Sequence, residues 1–484
     1  MRIVVLGAGI SGHTAALMLR RQLSKEHEVI VISPNSKWNW IPSNIWVGVG
    51  EMQASDVTFE LKPVYDRMKI TYLQAKAIEI HADGNETSNQ PFVVTESTAP
   101  YNRGSVESVE YDYLINATGP KLNFAATPGL GPDGNSLSVC TVDHAVHTAS
   151  VLEKLIGEMK QGQKKTFVIG TGHGTCTCQG AAFEYIFNLE FELRQKGVRD
   201  RAKIIFITNE AELGDFGVGG LSLKGGGFVT PSKVFAESLF AERQVDWITG
   251  AHVHKVDQTS LEYETLDGER ASIAFDFAML LPPFGGVGLK AFDAKQNDIT
   301  AQLFMPSGFM KVDGNYNPKS FDEWSPEDWP KTYQTSYKNI FAIGIAFAPP
   351  HQISMPRKSK NGTVIAPAPP RTGMPSAIMG RAVAKSISDM INGVSQAPTQ
   401  SASMAELGAA CVASAGANAF SGSAVSMTMY PIVPNYQKYP DGGGRDLNYT
   451  TGEIGTAGHW IKKLLHYAFI YKAKALPFWW IIPE

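Results

Sequence analysis

The feature that most restricts the fold is a glycine-rich turn near the N-terminus, between a predicted strand and a predicted helix. Three glycines have the spacing GxGxxG: Gly7, Gly9 and Gly12. The β-branched run 2–6 precedes them, residues 13–23 have helical apolar spacing, and a second strand-like run covers 28–32. In such a β–α–β unit the glycines permit the turn, the approach of a pyrophosphate and the packing of helix on strand. The N-terminus therefore predicts a Rossmann-like unit that binds a dinucleotide.

The residue that usually binds the adenosine ribose is missing from this unit. A carboxylate commonly ends the second strand, whereas this chain continues with Ser33, Pro34 and Asn35. We expect Ser33 or Asn35 to contact an adenosine in its place. The missing carboxylate argues against free NAD as the ligand of this unit.

A second β–α–β pattern begins with the predicted strand 166–169. This strand leads into Gly170 and Gly172, but the third glycine of the fingerprint is replaced by Thr175. We therefore expect a second Rossmann-like unit whose nicotinamide nucleotide site has been lost. Glu210, after the next strand, would be either a ribose ligand or a solvated loop carboxylate.

The cysteines are too few and too widely spaced for a disulfide framework. There are four of them: Cys140, Cys176, Cys178 and Cys411. Cys178 opens a helix predicted over 179–196, and a helix N-terminus favours the thiolate over the thiol. A nucleophile is therefore favoured at Cys178 over a buried apolar residue, with Cys176 left open. Cys140 and Cys411, considered alone, would be inert core residues, and no Cys or His spacing predicts a metal site.

Composition excludes several classes of protein. Lys and Arg number 43 and Asp and Glu 46, so there is no basic excess for binding nucleic acid. Hydrophobic residues make up 43% of the 484 residues and charged residues 18%, which excludes a disordered chain. No run approaches the ~20 strongly apolar residues that a spanning helix needs, so a membrane-bound form would lie on the surface.

The C-terminal segment mixes lysines with aromatic residues. Residues 459–474 contain four Lys beside Trp, Leu, Phe and Tyr, and residues 477–483 add two Trp. A helix of this composition either lies in a membrane interface or packs its aromatic residues on the protein's own core.

Short blocks spread over almost the whole chain match a known family. They are Pro42–Gly50, Tyr111–Lys121, Cys140–His144, Cys178–Glu184, Asn339–Ala346 and Pro370–Gly373. With these blocks the chain resembles the sulfide:quinone oxidoreductases, flavoproteins with two dinucleotide-binding domains. The resemblance implies FAD in the first unit and no NADH in the second.

The resemblance also implies an α/β fold of two Rossmann-like domains with a membrane-facing C-terminal region. We expect the FAD-binding domain to combine residues 1–160 with 301–395, the second domain to cover 161–300, and the C-terminal region 396–484. The expected FAD contacts are Gly7, Gly9, Gly12, Ser33, Asn35, Thr118, Gly119 and Gly344. The uncharged stretch 407–437 would line the flavin and quinone pocket.

Roles for the cysteines follow from the same resemblance. Cys178 and Cys411 would form a pair that is bridged beside the flavin, directly or through added sulfur. Cys140 would match the family's third cysteine, implicated in sulfur handling or flavin attachment, and Cys176 could compete with Cys178. Glu184 falls where the family has a carboxylate thought to act as a base. Six residues is not a same-face helical spacing, so an ordinary helix carboxylate is the alternative.

The activity expected from the resemblance is oxidation of sulfide to polysulfide or sulfur with reduction of a membrane quinone, by a protein bound peripherally to the cell membrane. Its partners would be sulfide, quinone and the membrane surface, with a homo-oligomer left open. The alternatives are a type II NADH:quinone dehydrogenase, the flavoprotein subunit of a cytochrome-linked sulfide dehydrogenase, and a non-catalytic flavin-binding interaction module. Thr175 and the cysteine pattern argue against the first, and the aromatic C-terminus against the second.

Overall fold

The glycine-rich N-terminus lies in the middle of a large sheet, which we call the first sheet. In a computed structural model that describes residues 1–416 and 422–484, this sheet has eight strands. Their order is Ile340–Ala342, Tyr113–Asn116, Arg2–Leu6, Glu28–Ser33, Thr71–His81, Phe92–Ser97 and Val106–Glu110, with Lys290–Phe292 paired to the end of Thr71–His81. From Ile340–Ala342 to Thr71–His81 the strands are parallel, so their carboxyl ends meet at one edge.

The helix predicted after the glycines forms over Ile10–Gln22 and packs against Gly373–Ile391. The helix begins inside the glycine turn, three residues before the predicted start. Helices on a parallel sheet cover its faces, which is why residues 3–6 of strand Arg2–Leu6 are a continuous buried apolar run. The predicted α/β fold with a Rossmann-like N-terminal unit is confirmed.

The second Rossmann-like unit is built on a separate parallel sheet. Its strands run in the order Asp246–Ile248, Ala202–Ile207, Lys165–Thr171 and Phe277–Leu281. Helices Gln179–Gln195 and Ser232–Glu242 pack on this sheet, whereas the preceding helix Val142–Lys160 packs mainly against the short helix Asn44–Gly48. We call Gln179–Gln195 the cysteine helix because Cys178 immediately precedes it. The chain returns to the first sheet at Lys290–Phe292, shortly before the predicted domain division at residue 300.

Smaller elements fill the connections. An antiparallel sheet is formed by Ala251–Val256, Ser260–Thr265 and Arg270–Ala274. Short strand pairs are Lys37–Asn39 with Thr58–Glu60, Lys121–Leu122 with Phe284–Gly285, Ser222–Gly225 with Phe228–Pro231, and Arg357–Lys358 with Val364–Ile365. Short α-helices are Asn44–Gly48, Ala54–Val57, Leu61–Met68 and Thr300–Leu303. Single 3₁₀ turns are Ile41–Ser43, Phe124–Ala126, Arg199–Arg201, Phe321–Glu323, Pro326–Asp328, Gly344–Ala346, Pro440–Gly442 and Trp479–Ile481.

The C-terminal region combines a sheet with a long helix. Its antiparallel strands are Ala409–Ala415, Ser423–Met429 and Gly452–Gly455, which we call the C-terminal sheet. The C-terminal helix, Thr456–Ala473, packs on this sheet. Among the described residues, no helix combines the length and the apolar character needed to cross a bilayer.

Candidate active site

The N-terminal turn has the shape of a pyrophosphate cradle. Gly7 has φ +97°, and a Cβ there would lie 2.2 Å from the carbonyl oxygen of Ala117. A Cβ on Gly12 would lie 2.1 Å from the Gly7 carbonyl oxygen, so the helix packs on the strand only with glycine here. By contrast, a Cβ on Gly9 would meet nothing within 4 Å. Because no side chain of the described residues caps the first helix, the open space beside Gly9 suits the phosphates of a dinucleotide.

Further residues predicted to contact the cofactor lie at the same edge of the first sheet. Ser33 ends the second strand and is buried, and Thr118 and Gly119 follow Tyr113–Asn116. Gly344 follows Ile340–Ala342 with φ +64°, and a Cβ there would lie 2.4 Å from the Ser11 hydroxyl. Ligands of open α/β sheets bind at the carboxyl ends of the strands, so the position of these residues fits a bound dinucleotide. Asn35 is exposed just beyond the edge.

The second glycine turn is closed by the protein itself. A Cβ on Gly172 would lie 2.4 Å from Leu130, and one on Gly174 would lie 2.4 Å from the Val364 carbonyl oxygen. The Gly174 N–H donates to His252 Nδ1 at 3.0 Å, and the Ala366 N–H donates to the Gly174 carbonyl at 2.8 Å. A nucleotide pyrophosphate would have to displace these contacts, which supports the predicted loss of the nicotinamide site.

Glu210 fits neither of the two roles expected for it. Its side chain is buried and accepts hydrogen bonds from the Thr208 hydroxyl and the Phe216 N–H, both at 2.6 Å. Burial, reinforced by nearby Asp215, raises the pKa of Glu210 to about 8. A buried carboxyl group bonded to its own loop is neither solvated nor available to a ribose.

Cys178 has an unusual conformation at the start of the cysteine helix. Its backbone is left-handed, with φ 65° and ψ 34°, which is uncommon for a residue with a side chain. Burial raises the pKa of its thiol, and the Thr177 hydroxyl and the positive charge of Arg371 oppose this rise only in part. The pKa of Cys178 is therefore raised, not lowered as expected for a thiol at a helix N-terminus, and desolvation of the thiolate is the largest cause.

Arg371 is the cation beside Cys178. Its guanidinium is buried, donates to the carbonyls of Ile345 and Phe347 at 2.7 and 2.6 Å, and lies 4.4 Å from the ring centroid of Phe309. Burial lowers the pKa of Arg371 to about 10. The sequence placed this residue in a family block, but nothing in it indicated a charge next to a thiol.

Cys411 comes from strand Ala409–Ala415 and reaches the first turn of the cysteine helix. Its Sγ lies 3.7 Å from the position that a Cβ on Gly180 would occupy. Burial raises the pKa of Cys411 to about 11; the charges of Glu184 and Cys178 add to the rise, and Lys462 opposes it. Two thiols that are 233 positions apart in sequence thus lie beside the same helix terminus.

The other two cysteines lie in the same neighbourhood. Burial raises the pKa of Cys140 to about 12 and that of Cys176 still further, and Cys178 lies close enough to influence both. The Cys176 thiol is buried and donates to the Leu281 carbonyl at 3.0 Å, whereas Cys140 is half-buried. All four thiols, each within the described residues, are free.

Glu184 takes part in a buried polar network. Its Oε1 accepts hydrogen bonds from the Ser414 N–H at 3.0 Å, from the Ser414 hydroxyl at 2.8 Å and from the Lys462 ammonium. The indole N–H of Trp46 donates to the same hydroxyl at 3.0 Å. Sequence analysis missed Lys462, because 278 positions separate it from Glu184 and no periodic pattern joins them.

The C-terminal helix has its polar and apolar sides reversed relative to a soluble helix. His459, Lys462, His466 and Lys472 are buried, whereas Trp460, Ile461, Leu464, Tyr467 and Tyr471 are exposed. Leu464 is 68% exposed, and Phe478 and Ile481 just beyond the helix are exposed to a similar degree. Two arrangements were expected for this segment. The structure does not show the one in which the aromatic residues of the helix pack inward as a group.

Comparison with known proteins agrees with this site. Residues 1–185 match the family model described as pyridine nucleotide-disulphide oxidoreductase. The chain is 30% identical over 419 residues to the sulfide-quinone reductase of Aquifex aeolicus, covering 86% of this chain and 82% of that protein. The chain belongs to the sulfide-quinone reductase family. Membership confirms the resemblance found in the sequence and implies a flavin cofactor.

Solved structures in and beyond the family show the same fold. The crystal structure of the sulfide:quinone oxidoreductase of Aquifex aeolicus matches with a TM-score of 0.74 and 27% identity, over 98% of this chain and 91% of that one. The NDH2 of Plasmodium falciparum, solved with NADH, matches with a TM-score of 0.61 over 99% of this chain and 96% of that one. At 15% identity, the second likeness shows the fold alone.

Proposed function

We propose that this protein oxidises sulfide and passes the electrons through FAD to a membrane quinone, using Cys178 and Cys411 as its redox-active pair. The observation that carries the proposal is the meeting of these two thiols at the start of the cysteine helix. Relatives named as sulfide-quinone reductases support the choice of sulfide and quinone. The closed second glycine turn supports an electron donor other than NADH.

The sulfur chemistry that we propose begins from a bridge between Cys178 and Cys411. A hydrosulfide ion attacks one sulfur of the bridge, the sulfur–sulfur bond breaks, and the products are a persulfide on one cysteine and a thiolate on the other. When the thiolate and the persulfide rejoin, the bridge is one sulfur longer, and two electrons and one proton are released. Bound FAD would supply the two-electron acceptor and the route to quinone. Repeated attack would lengthen the sulfur chain until polysulfide leaves.

Buried cations suit this cycle because each round leaves a thiolate in a dry environment. Arg371 favours the thiolate of Cys178, and Lys462 favours that of Cys411. Cys176 is a poorer partner for Cys411, because its thiol already bonds Leu281. For Cys140, half-buried near Cys178, we propose a part in handling added sulfur. The role of base implied for Glu184 competes with the three hydrogen bonds that its Oε1 accepts.

We also propose that the reversed C-terminal helix rests in the membrane surface. Its exposed Trp, Leu and Tyr side chains suit the interface, where aromatic rings and aliphatic groups leave water together. A quinone dissolved in the bilayer would then reach the flavin without crossing water.

Anaerobic reduction of the purified holoprotein tests the proposal. Sulfide should bleach the oxidised flavin band rapidly, NADH should not, and a soluble quinone should restore the band. Rapid bleaching by NADH with no response to sulfide would establish the NADH:quinone dehydrogenase instead. Reoxidation by a cytochrome but not by quinone would favour the cytochrome-linked enzyme.

Serine variants separate an enzyme from a passive flavin-binding module. Cys178→Ser and Cys411→Ser should each abolish rapid flavin reduction by sulfide, while Cys176→Ser should retain most of it. Unchanged reduction in the first two variants would contradict the role of the pair.

A further inference from the structure

Lys462 is a buried cation on a helix whose outer side is apolar. It is 8% exposed, while Trp460 and Leu464 on the same helix are largely exposed. Taking an ammonium group out of water is costly unless a partner of opposite charge receives it. Its burial therefore calls for a specific partner, whereas the neighbouring Lys463 is only half-buried.

The partners of Lys462 lie on either side of Cys411. The ammonium donates to Glu184 on the cysteine helix and, at 3.1 Å, to the carbonyl of Val412, the residue that follows Cys411. The side chain also lies 5.3 Å from the ring centroid of Trp46. One side chain of the C-terminal helix thus touches both elements that carry the two redox thiols.

The strand that carries Cys411 is fixed to the cysteine helix by further bonds. Asn188 donates to the Ser414 carbonyl at 2.6 Å and accepts from the Gly416 N–H at 2.9 Å. Glu184 accepts from the Ser414 N–H one turn earlier along the same helix. Lys462 therefore adds a charge to an arrangement that is already held in place, so its electrostatic effect can be separated from a role in folding.

Within the part of the chain that the structure describes, the ionisable groups that face Cys411 are Cys178 and Glu184 from the side of the cysteine helix and Lys462 from the C-terminal helix. Of these three, only Lys462 is a cation. A thiolate at Cys411 would otherwise share its surroundings with a carboxylate and a second thiol, both of which disfavour it.

We propose that Lys462 is a positioning residue for the sulfur chemistry, which offsets the charge of Glu184 so that Cys411 can ionise where it meets Cys178. This inference rests on the proposed function of the cysteine pair. It assigns Glu184 and Lys462 opposite effects on the same thiol, Glu184 disfavouring the thiolate and Lys462 favouring it. Neither residue needs to exchange a proton with sulfide.

The test is the pH dependence of Cys411 alkylation by iodoacetamide in the reduced holoprotein, followed by peptide mass spectrometry. The midpoint of the rate against pH reports ionisation, whereas the plateau at high pH reports access. Lys462→Met should move the midpoint upward, with about a tenfold slower rate below it for each unit of pKa. Lys462→Arg should restore the wild-type midpoint, and Lys463→Met, which removes a charge from the next position, should leave it unchanged.

Glu184→Gln is a second variant, and it should have the opposite effect on the alkylation midpoint of Cys411. It should move the midpoint downward, because it removes the anion and leaves the cation. Glu184→Gln combined with Lys462→Met should return the midpoint close to that of the wild type and should keep the fold, since no unpaired charge remains. The combination therefore serves as the test if Lys462→Met alone does not fold.

Unchanged midpoints in all variants, or shifts of Lys462→Met and Glu184→Gln in the same direction, would overturn the proposal. A change in the plateau alone would also overturn it, since this would show a structural role. Failure of the proposed function has a different signature: Cys411→Ser would retain sulfide-dependent flavin reduction, whatever the alkylation midpoints.

Discussion

Each thiol of the proposed pair has one buried cation beside it, and the two cations come from different parts of the chain. Arg371 lies in the loop before helix Gly373–Ile391, and Lys462 lies on the C-terminal helix. Burial raises the pKa of both Cys178 and Cys411 even with these cations present, and each cation reduces the cost of forming its thiolate. The proposed sulfur chemistry therefore depends on the charges around the two sulfur atoms as well as on the atoms themselves.

Replacing Arg371 should affect the reaction and the stability in separable ways. Arg371→Met should raise the pKa of Cys178, because it removes a positive charge, so flavin reduction by sulfide should require a higher pH than in the wild type. It would also leave the Ile345 and Phe347 carbonyls without their donor, at about 1–3 kcal/mol each. Arg371→Lys should keep the pH profile while losing part of the stability. Identical pH profiles in all three proteins would contradict the electrostatic role.

At the residue scale, the sequence predicted where a residue lies in a helix or strand better than it predicted the burial and contacts of that residue. The place of Cys178 at the start of a helix followed from the helical pattern after it. Its burial and left-handed backbone did not, because both depend on how the loop around Arg371 and the C-terminal strands pack over the turn. The network of Glu184, Ser414 and Lys462 likewise joins positions that only the tertiary structure brings together.

At the scale of elements, different glycines of the turn in the first sheet serve folding and cofactor binding. Gly12 is required by packing, since a Cβ would lie 2.1 Å from backbone, whereas the space beside Gly9 is open. Gly12→Ala should therefore destabilise the protein by about 1–3 kcal/mol even without flavin. Gly9→Ala should leave the apoprotein stable and lower its flavin content, because the methyl group would occupy the space of the pyrophosphate. Thermal unfolding of apoprotein and the ratio of flavin to protein check the two effects, and normal flavin content in Gly9→Ala would contradict this location.

The C-terminal helix should bind lipid through its exposed side. Leu464→Ser removes a large apolar group that is 68% exposed, so it should cost the fold little. If the group enters the interface, losing it should weaken binding to vesicles by roughly tenfold, corresponding to about 1.5 kcal/mol for an aliphatic side chain. Val146→Ser, on the exposed side of helix Val142–Lys160, is the matched control. Sedimentation with liposomes measures both, and equal binding of Leu464→Ser and the wild type would contradict the orientation.

Sequence patterns identified elements well where the periodicity was local. Strand Arg2–Leu6, helix Ile10–Gln22 and the cysteine helix all follow from short runs with clear apolar spacing. Of the uncharged stretch 407–437, residues 417–421 lie outside the described part of the chain, and Ala409–Ala415 pairs with Ser423–Met429 as antiparallel strands. Its small residues, Ala, Ser and Gly, give little alternation, so its strand pairing was not apparent from the sequence.

For the molecule as a whole, the site depends on segments from almost the full length of the chain. Trp46, the cysteine helix, Ser414 and Lys462 meet in one network, with bonds that span 230 to 368 positions. The two-unit architecture could be predicted because each β–α–β unit is a continuous segment. The way the C-terminal sheet and helix close over the cysteines could not, since such long-range contacts leave no periodic signal.

A buried carboxylate also connects distant parts of the molecule and should make its stability depend on pH. Glu264 accepts from Ser359, His254 and Arg270, and these bonds, led by that of Ser359, lower its pKa to about 2. A carboxyl group whose pKa is lowered on folding stabilises the folded state at pH values above the pKa of the unfolded chain, about 4.3. This stabilisation is lost as the pH falls toward 2. Glu264→Gln should therefore be less stable than the wild type at neutral pH, and the difference should shrink in acid.

Denaturant unfolding at neutral and acidic pH checks the role of Glu264. Glu453→Gln, at an exposed position, is the control and should stay within about 0.5 kcal/mol of the wild type at both values. A Glu264→Gln difference that is the same at both pH values would show that the carboxylate contributes through shape and not through charge.

The most direct measurement is peptide mapping of the oxidised protein, alkylated and digested without reductant. We predict that the peptide containing Cys411 is joined to the one containing Cys178, directly or through additional sulfur atoms. The link should persist in Cys176→Ser, disappear in Cys178→Ser, and open when the protein is reduced. A link from Cys411 to Cys176, or full alkylation of Cys411 in the oxidised protein, would contradict the account.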